Sequence, residues 1–302
     1  MDIYVVSVLS NIGMIAFIAL SAYLLLLVGE ISFGQQAFFA ISAYGSGMVT
    51  AIWSWPFWAG VLCGCILGGL SAALIALPTL RLRGLYFSIA TLAFAEMVRL
   101  TFEIFRFQVE VDGEMVGPNG SDGFRNVRAV YEQNISPLDY MLIIYALLSL
   151  VLLGFIILER SRLGSIFRMV GEDPLLAEMQ GLNATGYKLL AATMAGFIAG
   201  IGGALYVHLY TYVEPKIFDV MLGVHSLAYG LIGGLGTALG PLIGVAIDIG
   251  LLESIRITAG YRMIVFGGLV ALLLIFRPRG ILDETAVHWL RMRWRRLRNV
   301  RG

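Results

Sequence analysis

Charged side chains are scarce in this chain, so each one placed inside an apolar run has to be accounted for. Glu96, Arg99 and Glu103 recur at i, i+3 and i+7, which puts them on one face of a helix where they can pair with one another. Asp248 stands in a second apolar run with no partner nearby in sequence. In a bilayer each such group costs about 2.5–3.5 kcal/mol on insertion scales and must face protein or water. Pairing explains the Glu96 group as well as a polar pathway does. Asp248 points instead to a functional or inter-helix contact.

Bond-breaking chemistry has no candidates. The sequence contains no G-x-x-x-x-G-K-[ST], no H-E-x-x-H, no G-x-S-x-G and no Cys/His cluster. Cys63 and Cys65, two residues apart, would point to different faces of a helix and read as small apolar residues, not metal ligands. No catalytic or metal-binding residue is assigned, the chain is expected not to be an enzyme, and any driven process must draw on a partner or an ion gradient.

The remaining polar feature reads as a docking element. The island GEDPLLAEMQG at 171–181 lies between two long apolar blocks. Glu172 and Asp173 suit the start of a short helix, where negative charge complements the helix dipole, and Pro174 suits its first turn. Leu175, Leu176 and Met179 give an apolar face able to fill a groove, with Ala177 and Gly181 as small residues four apart. The alternative is an interfacial helix that merely connects two spans.

The elements that position these residues are membrane spans. Apolar residues make up 59% of the 302, charged residues 14%, and the mean hydropathy is +0.84, a balance no soluble domain of this size sustains. A helix needs about 20 apolar residues to cross the hydrocarbon, because its backbone amides must be satisfied within the segment. The sequence predicts an all-α polytopic membrane protein with eight to ten spans, nine drawn at 5–27, 32–53, 57–80, 84–105, 138–158, 187–210, 219–236, 238–254 and 262–277. The join of the seventh and eighth, Gly233, Gly234, Leu235 and Gly236, also suits a break within the membrane.

Lys and Arg set the orientation. Arg81, Arg83, Arg160, Arg162, Arg168, Lys188 and the basic residues from Arg277 onward gather on one side, which is then cytoplasmic. The outer loop 106–137 lies opposite, and the loop 159–186 with its island lies inside. This divides the chain into a transmembrane region, 1–285, and a basic amphipathic tail, 286–302. Val287, Leu290, Trp294 and Leu297 share one face of that tail among arginines, which reads as an anchor on the lipid surface rather than a nucleic-acid contact. His208 and His225 fall near the outer interface and need no special role.

Glycines are positional. Gly64, Gly68, Gly196 and Gly200 fall at small-xxx-small spacings that let helices approach closely in lipid. Gly29, Gly34, Gly233, Gly234, Gly236 and Gly240, with Ser32 and Gln35, cluster where spans begin or break, sites that can open helix ends onto a polar pathway near the midplane. A shift of 206 residues aligns Tyr23 with Tyr229, Leu25 with Leu231 and Gly34 with Gly240, a weak repeat linking the two regions.

Several motifs together carry a family likeness. GEISFGQQAFFAISAY at 29–44, GPNGSDG at 117–123, SRLG at 161–164 leading into the island, GGLG at 233–236 with Gly240 and Pro241, and FRPRG at 276–280 occur in order along nearly the whole chain. The chain resembles the permease subunits of bacterial ABC importers for branched-chain amino acids. The long 106–137 loop looks like the M-type subunit rather than the H-type.

That resemblance implies an inner-membrane permease that pairs with an H-type permease. Two ABC ATPases, which hold ATP and Mg, would bind beneath the pair, and a periplasmic binding protein would deliver substrate from above. The island would be the coupling helix, although Leu176 and Glu178 depart from the general E-A-A-x-x-x-G pattern. Importers of urea and short amides use similar permeases. A stand-alone secondary transporter, using Asp248 or Glu96, is the competing class.

Overall fold

The computed structural model describes residues 3–82, 84–111, 113–252, 262–277 and 280–282. Arg83, Asp112, Arg256, Pro278, Arg279 and the tail 286–302 lie outside the described residues. The chain is an all-α multi-pass membrane protein with one small β element. Five helices are long and apolar enough to cross a bilayer: α1 (Ile3–Leu27), α3 (Phe57–Thr79), α4 (Leu85–Ile104), α6 (Pro137–Arg160) and α9 (Ala184–Tyr210). Shorter helices fill the rest of the layer: α2 (Gln35–Ala51), α10 (Val220–Gly233), α11 (Leu239–Val245) and α12 (Arg262–Phe276).

Among the described residues a helix overlaps each of the nine expected spans, five of these helices being long enough to cross a bilayer, and the departures have physical causes. The second starts at Gln35, not at residue 32, because 28–34 is a turn followed by irregular backbone that is satisfied in part by side chains. The seventh and eighth do not form two full spans. α10 ends at Gly233, a tight turn follows, and α11 continues as a π-helical segment, Ala246–Leu252.

Helix α9 is the axis. It packs against α1, α2 and α3, and at its crossing with α3 the two backbones touch: a Cβ on Gly68 would stand 2.5 Å from the Gly196 carbonyl and 2.9 Å from the Gly200 Cα. No hydrophobic effect drives helices together in lipid, so van der Waals contact at such stripes holds the bundle. Aromatic side chains fill the second layer, Tyr44 stacking on Phe102 at 4.0 Å between ring centroids.

At one end of α9 the chain builds a cap. A hairpin of β1 (Val109–Val111) and β2 (Glu114–Pro118) pairs antiparallel, β3 (Phe124–Arg125) joins β2, and Phe124 bridges to Val213 beyond α9. The GPNGSDG motif makes the corner between β2 and β3. Gly123 takes φ +76, and a Cβ there would lie 2.5 Å from the Val213 carbonyl, so only glycine fits. A short helix, α5 (Ala129–Glu132), leads into α6, whose Ser136 cap accepts from the Asp139 amide.

At the other end stand α7 (Arg162–Glu172) and α8 (Pro174–Met179), which form an arm between α6 and α9.

Candidate functional site

The arm is two helices meeting at an elbow. Ser161 caps α7 by accepting from the Gly164 amide, and the Asp173 carboxylate caps α8 by accepting from the Leu176 amide at 3.0 Å, with Pro174 at the first helical position. Glu172 does not open α8 as its sequence position suggests. It is the last residue of α7, because the Asp173–Pro174 step breaks the helix there. Gly181 ends the arm at φ +83 with open space where a Cβ would stand, a left-handed helix stop.

One face of α8 is held and the other is bare. Ala177 is fully buried against Val170 and Ala184, which fixes the short helix to α7 and α9. Leu175, Leu176 and Met179 point away, 68%, 50% and 80% exposed. Three large apolar side chains on a six-residue helix, flanked by exposed Glu172, Asp173 and Glu178, form an apolar patch with an acidic rim.

Behind the arm lie both glycine-rich breaks. The first, 28–34, leaves helical geometry after α1 and returns to it at Gln35. Its backbone is paired locally and from α4: the Phe33 amide donates to Thr91 Oγ1 at 3.1 Å, and Ser88 Oγ donates to the Ile31 carbonyl at 2.6 Å. Ser32, 1% exposed, accepts from the Gly34 amide. Irregular backbone at membrane depth survives only when buried in protein or lining water, and these bonds meet that requirement. Phe38 packs on Ala199, and Gly203 packs on the Phe39 carbonyl, so α2 starts near the middle of α9 and not at a membrane face. There Gln35 is fully buried and neither amide atom has a hydrogen-bond partner; the Gln36 Oε1 is in the same position.

The second break joins α10 to α11. Gly234 takes φ +95, and a Cβ on Gly233 would collide with the Gly240 carbonyl, so the two helices close on bare backbone. Gly236 donates its amide to the Leu282 carbonyl at 3.1 Å, which ties the turn to the chain beyond α12.

Glu96, Arg99 and Glu103 meet as expected. Arg99 pairs with Glu96 at 2.5 Å and Glu103 at 3.2 Å, all three partly exposed on the outer surface of α4 beside an apolar groove that includes Met97, Leu100 and Ile104. Asp248 makes an inter-helix contact. It is 1% exposed in the π-helical segment, and the Tyr229 hydroxyl donates to its Oδ2 at 2.7 Å. The partner lies 19 residues away on α10, across the hairpin, out of reach of local spacing rules. His208 is not interfacial: it is fully buried, with Nε2 at 3.0 Å from Ser46 Oγ and its ring against Phe57.

Two charged contacts were hidden from sequence reasoning. Lys188 Nζ lies 2.6 Å from Glu30 Oε1, joining α9 to the first break across 158 residues. Glu159, at the end of α6, accepts from the Tyr23 hydroxyl at 3.1 Å and from the Ala238 amide at 2.8 Å. Among the described residues no group of three or more His, Cys, Asp or Glu could hold a metal.

The sequence is matched in known proteins. Residues 4–277 fit the family model described as the branched-chain amino acid transport system permease component. The chain is similar to the high-affinity branched-chain amino acid transport system permease protein LivM of Salmonella typhimurium, 29% identical over 282 residues, which cover 86% of this chain and 65% of the relative. LivM of Escherichia coli strain K12 is 28% identical over the same shares. LivH of Escherichia coli strain K12 is 28% identical over 135 residues, 44% of this chain and 43% of LivH. The chain thus spans 65% of the length of the LivM proteins it matches. No solved structure gives a significant match. With the family model covering nearly the whole chain and LivM covering far more of it than LivH does, the protein belongs to the permease components of branched-chain amino acid transport systems and is LivM-like.

Proposed function

We propose that this chain is the M-type permease subunit of an ATP-driven importer, carrying branched-chain or other small hydrophobic amino acids across the bacterial inner membrane by alternating access. The bare face of α8 carries this reading. Leu175, Leu176 and Met179 are left uncovered by the described residues, while Ala177 locks the helix in place, which is the build of an element meant to enter a groove on another protein. In an ABC permease that groove belongs to an ATPase subunit, where ATP and Mg act; this chain itself contributes no cofactor. The arm and the basic tail then lie in the cytoplasm, and the β cap faces the binding protein outside. The second permease is of the H type.

The substrate class rests on the likeness to LivM. The unpaired amide of Gln35 and the unpaired Oε1 of Gln36, buried at the start of α2, support a route beside the first break. A buried amide without a partner costs about 1–3 kcal/mol, and an alternate state that wets this helix end would recover it.

The test is uptake by proteoliposomes containing this chain with its partner permease and ATPases. Leu176→Glu combined with Met179→Glu is expected to abolish co-purification of the ATPases and to cut leucine uptake at least about tenfold, with membrane insertion unchanged. Wild-type uptake by an intact variant complex would overturn the docking role. Leucine transport by the purified chain alone would replace the whole reading with a secondary transporter, and uptake of urea in place of leucine would replace the substrate class.

A further inference from the structure

The arm touches both helix breaks, and it does so by different means. On the first, Gly171 of α7 lies backbone to backbone with Gly29: a Cβ on Gly29 would stand 2.6 Å from the Gly171 carbonyl, and one on Gly171 would stand 3.0 Å from the Gly29 nitrogen. On the second, the contact is made by charged side chains at the root of the arm. Glu159 Oε1 accepts from the Ala238 amide at 2.8 Å, the Thr237 hydroxyl lies 3.5 Å from Oε2, and Arg168 Nη2 donates to the Gly236 carbonyl at 3.3 Å. Tyr23 of α1 donates to Glu159 at 3.1 Å and also lies beside Arg168.

These contacts are not what helix packing alone would supply. Ala238 precedes the first turn of α11, whose amides have no intrahelical partner. The cap comes from another helix, 79 residues away in sequence. The carboxylate end of α6 therefore holds the positive end of α11, while the guanidinium of α7 holds a carbonyl at the same turn. The turn itself supplies only Gly236, Thr237 and Ala238 to these contacts, so the charge that fixes its position comes from the arm side.

We propose that Glu159 and Arg168 are positioning residues that clamp the 234–238 turn to the arm, so that the α10–α11 hairpin moves with α7 when the docked ATPases change state. This rests on the permease reading above. The hairpin, not only the helices continuous with the arm, is then a moving part of the gate. Gly29 provides the sliding contact on the other side, since two bare backbones can shift past one another without breaking a side-chain bond.

The test uses the assembled transporter, with Cys63 and Cys65 replaced by alanine, in nanodiscs. Spin labels go on Ser165→Cys of α7, Leu239→Cys at the hairpin tip and Leu70→Cys on α3, all exposed. Between the nucleotide-free and ATP-bound states, the arm-to-α3 and tip-to-α3 distances are expected to change together, while the arm-to-tip distance holds. In Glu159→Gln with Thr237→Val the arm still moves, the tip stops following, and leucine uptake per ATP hydrolysed drops about fivefold or more. Thr237→Val alone, the milder change, shows the same direction. An arm that moves while the tip stays fixed in the unsubstituted complex overturns the clamp and leaves the permease reading intact. An arm that never moves, in a chain that binds no ATPase, overturns the permease reading and the clamp with it.

Discussion

The molecule contains the same device twice, a helix, a glycine-bearing break and a second helix, and the two copies are held differently. α1, the 28–34 break and α2 form the first; α10, the 234–238 turn and α11 form the second. The shift of 206 residues that aligns Tyr23 with Tyr229 also carries the end of α1 at Leu27 onto the end of α10 at Gly233. In the first copy the break carries its own charge, Glu30, 6% exposed and paired with Lys188 of α9, and its backbone is tied to α4. In the second copy the break is uncharged, and its neighbours supply the charge, a carboxylate from the end of α6 and a guanidinium from α7 of the arm. The first is pinned to the core of the bundle and the second to its lever. If the clamp holds, one break is the fixed version of the device and the other the movable one.

The largest expected effect tests the fixed copy. Lys188→Ala leaves the Glu30 carboxylate buried without its cation and is expected to cost about 3–5 kcal/mol, read as a large fall in the thermal midpoint of the purified subunit in detergent. Lys188→Arg recovers most of it. Glu159→Ala, the matching deletion in the movable copy, orphans two buried neutral groups, the Ala238 amide and the Tyr23 hydroxyl, rather than a charge, and is expected to cost less, about 1–3 kcal/mol. Equal losses would remove the distinction.

Glycine substitution is the next largest lever, at the aligned pair Gly34 and Gly240. A Cβ on Gly34 meets only the tips of Phe38 and Ser32 side chains, 3.3 and 3.4 Å away, which can yield. A Cβ on Gly240 meets the Gly233 backbone at 2.9 Å and collides with the Gly234 carbonyl. Gly240→Ala is therefore expected to lose about 1–3 kcal/mol by overpacking, and Gly34→Ala less than half of that. The same thermal measurement decides it, and a more damaging Gly34→Ala would mean the first break is the tighter one.

How much of this could be read in advance follows from the range of each interaction. Span positions were legible because apolar length is a local property, and the α3–α9 seam because small-xxx-small spacing is periodic along one helix. The bare face of α8 was legible too: Leu175, Leu176 and Met179 are close in sequence and sit within a polar island. What escaped is what joins distant segments. Glu30 and Lys188, Glu159 and Ala238, and Asp248 and Tyr229 each come together through tertiary packing, so no local pattern announces them. The irregular 28–34 break escaped for a related reason, since its backbone is satisfied in part by Ser88 and Thr91 of another helix.

The smallest effects come from the aligned tyrosines, and they separate the copies most finely. Each hydroxyl donates to one carboxylate, Tyr229 to Asp248 at 2.7 Å and Tyr23 to Glu159 at 3.1 Å. Asp248 is 1% exposed, so Tyr229→Phe withdraws a donor where water cannot replace it, and the expected cost is about 1–3 kcal/mol. Glu159 is half-buried and keeps the Ala238 amide at 2.8 Å, so Tyr23→Phe is expected to cost about 0.5–1.5 kcal/mol. Function should invert that order. Asp248 and Tyr229 both lie within the α10–α11 unit, so their loss softens the hairpin while the clamp stays whole. Tyr23 shares Glu159 with the turn, so its hydroxyl orients the carboxylate that carries the clamp. Tyr23→Phe is therefore expected to lower leucine uptake per ATP hydrolysed more than Tyr229→Phe does, despite the smaller loss of stability. A single ranking for both measurements would show that the two tyrosines serve only to hold the fold.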